Sequence, residues 1–239
     1  MRENSFGQTI GDPLLNFTVP KRPSKETMNG RYCRLEYINP DQHAADLFEA
    51  KQANIDHPNW TYMPYGPFSS LDDYRTWIET TCMGEDPVFY AVIDSQTDKA
   101  VGVASYLRID PNNGAIEVGH IHFSPLLQKS RASSEAMYLM MEHVFSLGYR
   151  RYEWKCDSLN EPSRRAAQRL GFSFEGIFRQ ATHYKGRNRD TAWFAMIDSE
   201  WPALKSAYRR WLDPDNFDAK GNQMSSLGTL TADAIAQEF

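Results

Sequence analysis

The chain has 239 residues, 41% of them hydrophobic and 13% aromatic; that suffices for one substantial core, and two full domains would be cramped. Its 31 acidic and 26 basic residues leave a formal charge of −5, which excludes the broad basic field that holds nucleic acid or an anionic membrane nonspecifically. Three cysteines, Cys33, Cys82 and Cys156, are odd in number and lack metal-site spacing, so they are expected to be small buried residues in a reducing compartment rather than a disulfide framework.

Residues 1–30 are rich in Gly, Pro, Asn and Thr without a steady period and read as an N-terminal arm that lies over the domain or is disordered. The arm has no uninterrupted apolar run, and nothing later approaches the roughly 20 apolar residues that span a bilayer; a soluble, cytoplasmic protein is expected. "RYCRLEYI" (31–38) alternates like a half-buried strand. Asp41 can then cap a helix through "HAADLFEAKQAN", whose Ala44, Leu47 and Phe48 belong to an apolar stripe. "HPNWTYMPYGPF" (57–68) is an aromatic loop with three prolines, and "SSLDDYRTWIETTC" follows as a second helix.

Three strands come next, "PVFYAVID", "AVGVASYLRID" and "AIEVGHIHFSP", and their short polar separators favour consecutive antiparallel pairing. The period then switches: Met137, Met140, Met141 and Val144 recur at helical spacing and Gly148 stands at the stop. "YRRYEWKCD" returns to alternation, "NEPSRRAAQRLGF" reads as a helix, "FEGIFRQATHYKGRNRDTAWFAMID" as a long hairpin turning at Lys185 to Asn188, and "EWPALKSAYRRWL" as a last helix. The order predicts one α+β domain over 31–212 with a mostly antiparallel sheet. Residues 213–239 form a polar, weakly patterned tail with no assignment.

The block from Ala115 to Phe172 carries four specific pieces: "AIEVGHIHFSP", the loop "QKSRAS", the run "SEAM" and "NEPSRRAAQRLGF". Together they resemble the GCN5-related N-acetyltransferase (GNAT) superfamily, and more closely its RimJ/RimL-like branch, over about residues 30–200. The resemblance implies a splayed central sheet flanked by helices, acetyl-CoA as cosubstrate with CoA as product, no metal, and transfer of the acetyl group to a primary amine of a small molecule or of a protein or peptide N-terminus. In the family, the loop after the fourth strand reads Gln/Arg-x-x-Gly-x-Gly/Ala and grips the cofactor pyrophosphate through backbone N–H groups. Gln128 fits the first position, whereas Arg131 and Ser133 occupy the two that are usually small. A helix N-terminus keeps its unpaired N–H groups and positive dipole end whatever its side chains. Lys129, Ser130, Arg131, Ala132 and Ser133 are therefore still expected to bind the pyrophosphate, with Lys129 or Arg131 reaching a phosphate.

The resemblance further implies that Ile121, His122 and Phe123 present backbone to the cofactor, with the N–H of Ile121 or His122 polarising the thioester carbonyl. It also implies that Asn160 bonds the pantetheine arm and that Ser163 serves the departing thiolate, because Ala167 stands where many members have an acid-catalytic Tyr. Asn160 is equally a good helix cap. Glu117 is the foremost candidate for the general base. By strand alternation Glu117, Gly119, Ile121 and Phe123 share one face and Val118, His120 and His122 the other, so His120 or His122 can serve as base only where the strand bulges. Trp60, Tyr62, Tyr65 and Phe68, with His183 and Tyr184 from the hairpin, are candidate walls of the acceptor pocket; Asp72 and Asp73 are further acidic candidates. The basic clusters "YKGRNR" and "RRY" are too short for a nucleic-acid site. A monomer or homodimer is expected. The alternative reading is a noncatalytic acyl-CoA-binding or scaffold protein, since the phosphate loop lacks glycine and the Tyr is missing.

Overall fold

The computed structural model describes residues 2–52 and 58–236. Ala53 and Asn54, the expected end of the first helix, and His57, at the head of the aromatic loop, lie outside the described residues. The N-terminal arm is ordered over the domain: a small ribbon of β1 (Arg2–Glu3) and β2 (Thr9–Ile10), then β3 (Met28–Asn29), which joins the main sheet at its edge. Arg22 holds the Glu85 carbonyl at 2.9 Å and Lys25 its carboxylate at 2.8 Å.

β4 (Cys33–Tyr37) leads into α1 (Pro40–Gln52). Asn39 rather than Asp41 caps this helix, its side-chain oxygen accepting from the N–H groups of Asp41 and Gln42; Asp41 is instead paired with Arg75 of α2 (Leu71–Trp77) at 2.5 Å. β5 (Val88–Asp94), β6 (Ala100–Asp110) and β7 (Ala115–Phe123) form the expected antiparallel run. After them come α3 (Arg131–Ser146), β8 (Arg151–Asp157), α4 (Glu161–Arg169), the hairpin β9 (Ser173–Tyr184) and β10 (Arg187–Ile197), and α5 (Trp201–Leu212). The eight-stranded sheet runs β3-β4-β5-β6-β7-β8-β10-β9 and is antiparallel except at β7–β8.

Alternation in β5 separates two apolar layers. Val88, Tyr90 and Val92 enter the larger core with α3 and α5, while Phe89, Ala91 and Ile93 meet Leu47, Tyr74 and Ile78 on the α1 and α2 side. The "SEAM" run also holds the fold together. Its buried Glu135 carboxylate accepts the backbone N–H groups of Arg31, Tyr32 and Cys33 at 2.6–2.9 Å, tying α3 to the start of β4. Gly30 is required there, because a Cβ would stand 2.5 Å from the Glu135 carboxyl carbon.

The C-terminal segment, whose pattern gave no assignment, is folded. A 3-10 turn (Pro214–Asn216) and α6 (Leu227–Ala236) follow α5, and Leu227, Leu230 and Ala234 bury into the larger core. Buried Asn216 pins the loop by donating to the carbonyls of Trp211 and Ser225 and accepting from Ser225 N–H. The three cysteines are free and buried, and no helix among the described residues is long and apolar enough to cross a membrane.

Candidate active site

The site begins as a defect in pairing. β7 and β8 pair from Ala115↔Arg151 to Val118↔Trp154, and beyond that the two parallel strands diverge. On its other edge β7 carries a bulge: Gly119 pairs with Ser105 and His122 with Val103, so His120 and Ile121 together oppose Ala104 alone. His120 adopts a left-handed backbone, φ 50°, as the extra residue of a bulge can. Gly119 to Phe123 therefore has a gap on the β8 side and a broken ladder on the β6 side.

The extra residue reverses the alternation. Ile121 and Phe123, which an unbroken strand would place on the Glu117 face, instead line a cavity of about 840 Å³ on the α3 side. His120 and His122 are carried to the Glu117 face. A smaller cavity of about 200 Å³ opens there, lined among others by Glu117, His120, Lys155 and Ser163. The two cavities share Ile121 and Trp154.

The larger cavity is cationic, carrying Lys129, Arg131, Arg165 and Arg169 and no carboxylate. Ser130 caps α3, its hydroxyl oxygen accepting from Ser133 N–H at 3.1 Å. The first-turn N–H groups of Arg131 and Ala132 remain without an intrahelical acceptor, as at any helix start. Gln128 donates to the Phe123 carbonyl at 2.8 Å and so shapes the turn. The one left-handed residue of this loop is Lys129, φ 59°, whereas Arg131 and Ser133 are helical; side chains at those two positions thus cost no backbone strain. The Arg131 guanidinium stacks on Phe217 with 3.7 Å to the ring centroid. Trp211 at the end of α5, with Phe217 and Gln223 from the C-terminal segment, completes the wall, a contribution that no motif in the sequence signals.

The smaller cavity is a network of paired charges. Buried Glu117 accepts from Arg108 at 2.7 Å and lies 2.9 Å from the Lys155 Nζ, both at Oε2. Glu117 and Glu153 are register partners on β7 and β8, and like charges so placed repel. Lys155 lies between them, reaching Glu153 at 2.6 Å. Asp157 is buried and accepts from Tyr184 at 2.8 Å and from Leu159 N–H at 2.9 Å. Ser163 Oγ accepts from Trp154 Nε1 at 3.1 Å, while Asn160 caps α4 by accepting from Ser163 N–H at 3.2 Å.

Several expected site residues stand elsewhere. Trp60 is buried and stacks on His122 at 4.0 Å, part of the aromatic layer rather than of the cavity wall. Neither residue lines the smaller cavity, which leaves His122 out of reach as a base. Tyr65 is hydrogen-bonded to His120 Nδ1 at 3.1 Å and packs on Trp77. Of the aromatic loop, Tyr62 reaches the cavity and donates to the Leu159 carbonyl. Tyr184 reaches it through Asp157. His183 is exposed on the hairpin, and Asp72 and Asp73 are exposed in the first turn of α2. Burial, with Arg108 nearby, pushes His120 down to about 4, and burial with Lys51 pushes His122 down to about 3; both imidazoles are neutral at pH 7. Arg108, Lys155, Asp157 and Arg189 went unrecognised in the sequence. Alternation in "YEWKCD" puts Glu153, Lys155 and Asp157 on one face, but only the β7–β8 pairing brings that face to Glu117.

The acetyltransferase (GNAT) domain family matches residues 34–173. A crystal structure of a GCN5-related N-acetyltransferase from Brucella melitensis is 46% identical and superposes with a TM-score of 0.89, covering 92% of this chain and 100% of its own. A probable GNAT-family acetyltransferase from Chromobacterium violaceum is 38% identical, with a TM-score of 0.76 over 82% of this chain and 98% of its own. Among curated proteins, the uncharacterized N-acetyltransferase p20 of Bacillus licheniformis is 30% identical over 59% of this chain and 80% of its own. The ribosomal-protein-serine acetyltransferase of Escherichia coli is 32% identical over 43% of this chain and 58% of its own. With the splayed strands, the bulge and the cationic helix start, these likenesses lead to one conclusion: the chain belongs to the GNAT acetyltransferase family and is an N-acetyltransferase.

Proposed function

We propose that the enzyme transfers an acetyl group from acetyl-CoA to a primary amine by direct attack within a ternary complex. The observation that carries this reading is the meeting of the two cavities at Ile121 and Trp154, one cationic and one holding Glu117. Acetyl-CoA supplies the acyl thioester. Lys129, Arg131, Arg165 and Arg169, with the first-turn N–H groups of α3, fit its phosphates by charge and by donor type. The backbone of Ile121, displaced from the β6 ladder by the bulge, and that of His122 beside it are suited to polarise the acyl carbonyl and to hold the pantetheine amides.

On the other side, Glu117 takes the proton that the amine sheds as its nitrogen bonds to the acyl carbon. The sulfur leaves with the C–S electron pair as a thiolate, to which Ser163 donates a hydrogen bond while its own oxygen is held by Trp154; the thiolate takes its proton from water as CoA departs. Glu117 is already paired with two cations, which hold its carboxylate in place beside the acceptor. An α-amino group, less basic than an alkylamine, is the easier acceptor to deprotonate. The likeness to a ribosomal-protein-serine acetyltransferase agrees with an α-amine. The noncatalytic alternative leaves this buried charge network without a purpose.

Thermal unfolding in the presence of acetyl-CoA tests the cofactor half. At about 100 times Kd, linkage gives about 2.7 kcal/mol, a shift of several degrees for a chain of this size. The same shift is expected with CoA and a much smaller one with adenosine. No shift at millimolar acetyl-CoA would refute the reading.

A further inference from the structure

The smaller cavity holds more positive than negative charge. Arg108, Lys155 and Arg189 line it against Glu117 and Asp157, an odd composition for a site whose substrate exists in water as an ammonium. Lys155 is committed to two carboxylates, and Arg108 to Glu117. Arg189 is not: it forms no ion pair among the described residues, its Nε is buried without a hydrogen-bond partner, and the Tyr184 ring centroid lies 5.9 Å from its guanidinium. It sits where β10 passes the end of β8, Thr191 pairing with Asp157 and the register with β9 shifting between Arg189 and Thr191. A half-buried guanidinium with unused donors beside a cavity is a fork for a planar anion.

The loop that lines one wall of this cavity is also tied down. From the hairpin tip, Lys185 donates to the Trp60 carbonyl at 2.8 Å and Arg187 to the Thr61 carbonyl at 2.7 Å. Tyr62 bridges back to the Leu159 carbonyl at 3.1 Å. These ties fix the loop whose Tyr62, Met63 and Pro64 line a cavity of about 200 Å³, and a fixed wall on so small a cavity suits a small acceptor better than a polypeptide.

Building on the acetyl-transfer reading, we infer that the acceptor is a small amino acid-like molecule carrying a carboxylate beside its amine, with Arg189 as the residue that receives the carboxylate. The ligand's carboxylate satisfies the orphaned donor of Arg189, while its amine stands at Glu117. Arg189 is thus a specificity residue for the anionic end of the substrate and takes no part in the proton transfers.

The experiment measures CoA thiol release with free L-amino acids, the same amino acids as amides, short peptides with free N-termini and simple alkylamines. At least one free amino acid is expected to have a kcat/KM ten or more times that of its amide and of the peptides. Arg189→Gln is expected to collapse that ratio toward one, chiefly by raising KM for the acid, and Arg189→Lys to restore part of it. The acid-to-amide comparison in the unaltered enzyme stands even where a variant fails to fold. Peptides, amides or alkylamines turned over as well as the free acids would overturn the inference and leave acetyl transfer intact. So would a protein that binds acetyl-CoA in calorimetry yet acetylates no free amino acid in the set. Failure to bind acetyl-CoA at all would refute the acetyl-transfer reading itself, and the inference with it.

Discussion

The two cavities flanking Ile121 and Trp154 are built on different principles. The larger uses a helix start and a cluster of guanidinium and ammonium groups, with no carboxylate in its lining; the smaller uses side chains locked to one another, Glu117 to Arg108 and Lys155, Asp157 to Tyr184. A site made of backbone donors survives substitution, which is why Arg131 and Ser133 can replace small residues without disturbing the turn. A site made of paired side chains tolerates little, because removing one member leaves another buried and uncompensated. Recognition of a cofactor common to a whole family fits the first kind of construction, and selection of a particular acceptor fits the second.

The sharpest break in this comparison is Glu117→Gln. It should lower kcat by about 100-fold, the scale of a lost general base, while CoA affinity measured by calorimetry stays within about threefold; an unchanged rate would remove Glu117 from the chemistry. Acid should also act through the two imidazoles of β7. His120 and His122 have folded values of about 4 and about 3, below the ordinary 6.5, so the unfolded chain binds protons that the native one refuses. Their contribution to stability is complete above pH 6.5 and is lost as pH falls toward 4, by of order 2 kcal/mol for each imidazole at pH 5. A melting temperature that is flat from pH 7.5 to 5 would show that these rings are solvated.

Leu230→Ala tests whether the C-terminal segment belongs to the core and the larger cavity. A loss of about 2.5 kcal/mol in denaturant unfolding is expected for a buried leucine, together with weaker CoA binding. Arg131→Ala should weaken CoA by about 10-fold, as for one charge-assisted contact, and leave acetyl-pantetheine, which lacks the pyrophosphate, nearly unaffected. Equal losses for both ligands would place Arg131 outside the phosphate site and leave it only its stacking on Phe217. Smallest of all, Ser130→Ala should cost about 1 kcal/mol of stability through the lost cap, with little change in turnover.

Much of the scaffold was legible because it depends on local pattern. The period of two in "PVFYAVID" and the helical recurrence of Met137, Met140 and Val144 reflect which faces must leave water, and those elements appear where the pattern puts them. Glu117 was visible through the family resemblance, as the acidic residue of the strand that precedes the phosphate loop. Misplacements arose where partners distant in sequence compete: Asn39 took the cap expected of Asp41, and Trp60 turned inward onto His122. The helix over Leu227–Ala236 was missed because Gly228, Thr229 and Thr231 are poor helix formers in its first half, and its apolar face becomes decisive only against α5 and α4.

By itself, then, the sequence determined the order of strands and helices, the cationic loop before α3 and the presence of a carboxylate in β7, all consequences of nearest-neighbour chemistry and hydrophobic period. The tertiary structure alone decided the rest. One extra residue at His120–Ile121 reversed the faces of β7, and the parallel pairing of β7 with β8 brought Lys155 to Glu117. The return of β10 past the end of β8 set Arg189 at the cavity. Each depends on strand register and on groups far apart in the chain, which local periodicity does not encode.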